Sequence, residues 1–191
     1  RRSSDLIGAG IQLDGLLTGN DRLQLKGGYF GTDARNYIAT RVDMKRMRSY
    51  SYNVSRARIW GWDMQGNYQS DYFDWMLSYN RTESMDASSR EWLGSGNPDT
   101  LISDISIPVG HGGVSAGWRA ELSAAATHVK KGDPHQAGYA VHSFSLSYKP
   151  VSVKGFEASV TLDNAFNKLA MNGKGVPLSG RTVSLYTRYQ W

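Results

Sequence analysis

Four histidines, His111, His128, His135 and His142, are the residues of this chain best suited to hold a metal or a haem iron, because neutral imidazole is a common metal ligand. Their spacing assembles no set: no two stand four apart, and no HExxH pattern occurs. They read as ordinary loop or interface histidines, and only His135, in "GDPHQAG", falls in a segment that reads as an exposed loop. Acid–base chemistry would need two carboxylates held together. Asp14, Asp63, Asp74, Glu121, Glu157 and Asp163 are instead scattered over separate segments. Ser143 follows His142 directly, but neighbours along a strand point to opposite faces, so the pair cannot easily act as nucleophile and base. Without a nucleophile elbow or a metal set, the chain reads as no enzyme, with no catalytic or metal residues. It has no cysteine, which removes disulfides and thiolate metal sites.

The run "RVDMKRMRSYSYNVSRAR" (41–58) is the strongest local concentration of charge in a chain of net charge +5. Basic residues among tyrosines suit nucleic acid when a stacking groove accompanies them. Here they fall on a long hairpin loop with no nucleic-acid fold around it, so nucleic acid is excluded as a partner. A solvated loop, or a clamp on anionic outer-leaflet lipid, explains the run most simply. Arg41, Lys45, Arg46 and Arg48, with His135, are also the candidates for contact with an acidic protein ligand, because complementary charge raises association rate and specificity.

The dominant pattern of the elements that hold these residues is period two, repeated about nine times. Ile7, Ala9, Ile11 and Leu13 alternate with Gly8, Gly10, Gln12 and Asp14; Trp60, Trp62, Met64 and Tyr68 alternate with Asp63, Gln65 and Asn67. Phe73, Trp75, Leu77 and Tyr79, then Ala140, Phe144, Leu146 and Tyr148, then Phe156, Ala158, Val160 and Leu162 continue the series. Two weaker strands are expected at Val114–Trp118 and Leu122–Ala126, with a bend near Arg119, and Ser84–Ser106 reads as the longest non-periodic piece. No useful stretch repeats at helical spacing, and no run approaches the roughly 18 apolar residues of a membrane helix. Transmembrane strands of about 9–11 residues need no such run.

Connections alternate between tight and long. "TGND", "QSDY", the Arg119 bend and "KPVSVKG" are short; 40–52, 84–105, 132–138 and 168–179 are long. Bacterial outer-membrane barrels show this rhythm, with short periplasmic turns and longer outer loops. The last segment, "TVSLYTRYQW", then runs toward the periplasm, and Leu185, Tyr189 and Trp191 mark it as a C-terminal assembly strand ending in an aromatic girdle. The lipid-facing set comprises Ile11, Leu25, Trp60, Trp62, Met64, Trp75, Leu77, Leu146, Val160, Leu162 and Leu185; the lumen-facing set includes Gln24, Asp63, Gln65, Asp74, Glu157, Thr161 and Arg188. Nine is an odd count, and an open sheet leaves edges that lipid cannot satisfy. The chain therefore reads as a piece of a larger barrel, a complete barrel of eight or ten strands being the alternative.

"YAVHSFSLSYKP" (139–150), "FEASVTLDNAFNK" (156–168) and "SGRTVSLYTRYQW" (179–191) resemble, in that order, the C-terminus of TonB-dependent outer-membrane receptors. "GGYFGTDARNYIA" (27–39) and "NVSRARIWGWDMQGNYQ" (53–69) are similar to late-barrel strands of that family, whose members mostly end in Phe where this chain has Trp191. "YFGTDARNYIA" and "VPLSGRTVSLY" narrow the resemblance to its haem receptors, those served by a haemophore in particular. The resemblance implies an all-β, antiparallel transmembrane barrel of twenty-two strands with an N-terminal plug. Residues 1–191 would be the C-terminal portion of that single barrel domain, lacking the plug and the earlier strands. It also implies the bacterial outer membrane, energy from TonB through the plug, and haem import, with haem as transported ligand and no cofactor bound by this portion. The axial haem ligands would lie outside this chain. A siderophore or other nutrient receptor, or a passive or structural barrel, is the alternative.

Overall fold

The structure, a computed structural model, describes residues 2–43, 46–94, 98–172 and 176–191. Among the described residues, nine strands form one sheet: β1 (Arg2–Asp14), β2 (Arg22–Asp43), β3 (Arg48–Gln69), β4 (Asp74–Asp86), β5 (Thr100–Val109), β6 (Val114–Ser123), β7 (Tyr139–Tyr148), β8 (Phe156–Asp163) and β9 (Thr182–Tyr189). They lie in sequence order, and every neighbouring pair is antiparallel. Among the described residues no helix is long and apolar enough to cross a membrane.

Register shows why alternation in the sequence becomes a wall. Leu13, Leu23, Tyr68, Trp75, Ile105, Trp118, Phe144, Leu162 and Val183 are paired one to the next across all nine strands. Directly paired residues share a face, so a single slip anywhere would interrupt this row. On the opposite phase, Gln12, Gln24, Asn67, Met76, Asp104, Arg119 and Ser143 make a second row, polar at every strand but one. Every residue expected to face lipid stands on the first phase, and every residue expected to face the lumen on the second. Most of the apolar face is uncovered among the described residues: Ile11, Leu146, Val183 and Leu185 are all more than half exposed. Water would penalise so large an apolar patch, whereas lipid tails match it.

The sequence places some strands wrongly, and the errors offset one another in the count. Residues 100–106, read as the end of a non-periodic piece, lie in β5. Its Ser, Asp and Pro residues weaken the alternation, yet Leu101 pairs with Leu122 and Ile105 with Trp118. The two weak strands expected at 114–118 and 122–126 are one strand, β6, which runs straight through Arg119. The tight turn is 110–113 instead, where Gly110 and Gly113 have φ of 65° and 78°, a region glycine enters without strain. Residues 40–43 and 48–52, expected in a loop, continue β2 and β3, whose ladder reaches Asp43 opposite Arg48. β9 ends at Tyr189, so Trp191 lies two residues past the strand and is fully exposed.

Candidate functional site

Functional side chains collect at the two places the sheet creates: the polar phase along the strands, and the end bearing the long connections. Along the polar phase, cross-strand pairs brace the wall. Arg22 meets Asp14 at 3.1 Å, Arg119 meets Asp104 at 3.3 Å, Lys149 meets Glu157 at 3.0 Å, and Gln24 Nε2 donates to Gln12 Oε1 at 3.0 Å. These pairs engage Asp14 and Glu157, two of the six carboxylates weighed as acid–base groups.

At the other end, the β2–β3 hairpin rises beyond its neighbours, because both strands are 22 residues long while the rest have 13 or fewer. Segments 87–94 and 124–138 fold against this hairpin. Leu93 joins Ala39, Val54 and Ala57 in one buried cluster with Tyr37 packed on it. Val54 and Ala57 are three apart, which a flat strand would place on opposite faces. Asn36, at φ 56°, sits in the partner strand where the ribbon turns, and Asn tolerates that left-handed geometry.

Trp92 stacks face to face on His128, with centroids 4.1 Å apart, and packs on Trp60 at 6.0 Å. His128 Nδ1 lies 2.8 Å from Glu83 Oε1, and Glu83 also accepts from Arg81 at 3.1 Å. Arg81 reaches Asp99 at 3.5 Å, and Asp99 accepts the Tyr79 hydroxyl at 3.0 Å. Lys130 donates to the Thr40 carbonyl and stands over the Tyr52 ring. Between these segments lies a groove of about 430 Å³ whose walls include Tyr50, Tyr52, Trp92, Lys130 and Lys131.

Of the residues singled out in the sequence, Arg48 opens β3 and is exposed, and Arg46 lies in the turn before it. Arg41 pairs through its backbone with Tyr50 in the hairpin ladder, and Lys45 lies outside the described residues. His135 is exposed beside Gln136, whose backbone bridges Ala126. The four histidines are not gathered: His111 is in the 110–113 turn, and His142 is on the apolar phase, stacked on Trp118. His142 and Ser143 do stand on opposite phases, as their adjacency requires. Among the described residues, no group of three or more His, Cys, Asp or Glu could hold a metal ion. Leu185 pairs with Val160 and Tyr189 with Phe156, so the last strand is seated along its length. The Trp92–His128–Glu83 cluster escapes sequence reading because its members come from three segments and two of them lack periodicity.

Residues 7–167 match the family described as "TonB dependent receptor-like, beta-barrel". A "Hemin receptor" of Yersinia pestis is 40% identical over 185 residues, which cover 96% of this chain and 27% of that protein. A "TonB-dependent heme receptor A" of Haemophilus influenzae is 25% identical over 194 residues, 85% of this chain and 26% of that one. Among solved structures, "Copper transporter OprC" superimposes with a TM-score of 0.79 at 19% identity, covering 98% of this chain and 32% of its own. The chain thus spans between a quarter and a third of the length of each. A nine-strand meander with one apolar and one polar face, matched over most of its length, belongs to the TonB-dependent receptor β-barrel family and lies in the bacterial outer membrane.

Proposed function

We propose that the protein to which this wall belongs imports haem across the outer membrane with energy coupled through TonB. The observation that carries this reading is the 40% identity to a hemin receptor over nearly the whole chain. The residues themselves supply wall, lumen lining and a share of the outer segments. On this reading they form the C-terminal portion of a plugged barrel, with β9 as its assembly strand, and carry out no catalysis and hold no resident cofactor. Outer-membrane lipid surrounds the apolar phase, and TonB engages the plug, outside this chain.

Equilibrium absorption titration of the purified full-length receptor with haem tests the cargo. A saturable haem spectrum supports it, and binding of a ferric siderophore in preference to haem overturns it. Uptake that persists after inner-membrane energy is removed would instead indicate a passive pore.

Delivery by a haemophore is the finer part of the proposal, and it rests on the basic hairpin tip. Replacing Arg41, Lys45, Arg46 and Arg48 together by Gln should slow association of an acidic haem-carrying protein, with a difference that shrinks as salt rises. Free haem binding should hardly change. If replacing His135 abolishes haem absorption while the basic tip is dispensable, the haem ligand lies in this chain after all.

A further inference from the structure

On the apolar phase, β2 and β3 leave the band through an aromatic level and enter a cationic one. Tyr29 and Trp62 are directly paired, with ring centroids 4.8 Å apart, and Trp60 follows. The next position on the same phase pairs Asp33 with Arg58, and the one beyond pairs Arg35 with Arg56. Arg56 Nη2 lies 3.0 Å from Asp33 Oδ2 and Arg58 Nε lies 3.9 Å from Asp33 Oδ1. Two guanidinium groups thus share one carboxylate, and Arg35 stands directly opposite Arg56 beside them. Even with Asp5, opposite Gly31 on β1, the patch keeps a positive excess, because Glu83, opposite Trp60 on β4, is taken up by Arg81 and His128. Arg56 and Arg58 remain 49% and 61% exposed.

Height decides what such a patch can meet. The stretch of β3 between Tyr68 and Trp60 climbs about 20 Å at the rise and tilt of a barrel strand, close to the thickness of the apolar band. Arg58 and Arg56 then stand about 5–10 Å above Trp60, at the level where lipid headgroups begin and the interfacial aromatics end. We propose that Arg35, Arg56 and Arg58 bind the phosphorylated headgroup of an outer-leaflet lipid. The patch continues the lipid-facing surface directly, and guanidinium forks match phosphate oxygens in pairs. Asp33 holds the forks in place and limits their affinity. The site does not depend on which cargo the receptor carries.

Native mass spectrometry of the full-length receptor, titrated with bisphosphorylated lipid A and with its dephosphorylated form, tests this. The wild type should retain the phosphorylated lipid at least tenfold better than the dephosphorylated one. Replacing Arg35, Arg56 and Arg58 together by Gln should erase that preference, whereas Arg119→Gln, on the polar phase, should leave it intact. Asp33→Asn should tighten binding, an outcome that a purely structural role for the ion pairs would not produce. Millimolar inorganic phosphate should not displace the lipid. Equal retention of both lipids by the wild type, or an unchanged preference in a triple variant that still migrates as a folded barrel, overturns the proposal. So does a triple variant that keeps the lipid but loses an acidic carrier protein, which would make the patch a protein-docking surface. Haem titration of the same variants should match the wild type, so failure here is distinct from failure of the cargo assignment.

Discussion

Asn164 and Asp21 show how single polar side chains set the connections. Asn164 is buried at φ 45°; its Oδ1 accepts from Lys168 N at 2.7 Å, and its Nδ2 donates to the Lys168 and Ser179 carbonyls at 3.0 and 2.9 Å. It therefore ties both ends of the 164–181 connection together. Asn164→Ala should cost about 2–4 kcal/mol, from lost hydrogen bonds and the left-handed backbone, and Asn164→Gly should recover about 1 kcal/mol of that. Urea titration of the full-length receptor, read by heat-modifiable migration, measures both. Asp21, 2% exposed, accepts Leu17 N, Thr18 N and the Tyr68 hydroxyl at 3.0–3.1 Å. Burial opposes its ionisation, but the Thr18 and Leu17 N–H groups and Tyr68 outweigh it and hold the carboxyl below the ordinary range. A lowered folded pKa contributes stability that is present above the unfolded value and lost as pH falls through the folded one. Amide protection at Leu17 and Thr18 should thus persist at about pH 5 and fall only below about pH 4. In Asp21→Asn it should no longer depend on pH in that window.

Strands are the scale at which the two faces can be told apart by experiment. Val160 and Thr161 are neighbours on β8, with Val160 between Leu146 and Leu185 and Thr161 between Ser145 and Ser184. Val160→Arg should cost about 2–4 kcal/mol in a full-length receptor reconstituted in bilayers, because the charge meets hydrocarbon, and Thr161→Arg clearly less. Equal costs would mean that the faces have been misassigned. The same periodicity explains what could be read in advance. Strands with unbroken apolar–polar alternation, such as β8 and the lower half of β3, are legible from their residues, as are the faces of all eighteen positions assigned to lipid or lumen. β5 is not, because "TLISDISIPV" mixes polar residues and a proline into its alternation. Its identity as a strand depends on pairing with β4 and β6.

For the molecule as a whole, the decisive feature is that β1 and β9 each have one neighbour among the described strands. In lipid an unpaired edge leaves backbone groups without water to satisfy them. Residues 1–191 expressed alone should therefore fail to give a monomeric, protease-resistant, heat-modifiable barrel, and should instead aggregate or assemble through those edges. A monomer with these properties would show that the sheet closes on itself and would overturn the assignment to a larger barrel.

Period-two patterning by itself determined the class of fold and the two faces, because each depends only on which neighbours along a strand are apolar. Tertiary structure alone decided where strands end and which side chains meet. The β2–β3 ladder runs nine residues past Ala34, the partner of Arg2 on β1, although its tip is basic and polar, since backbone pairing continues regardless of side-chain character. Trp92, His128 and Glu83 come from a segment after β4, a segment after β6 and β4 itself, and no local spacing relates them. Arg56 and Arg58 looked like part of a basic loop, yet register sets them with Arg35 around Asp33, one step above the aromatic level. Charge is a property of the residue, but what a charge faces is a property of the register.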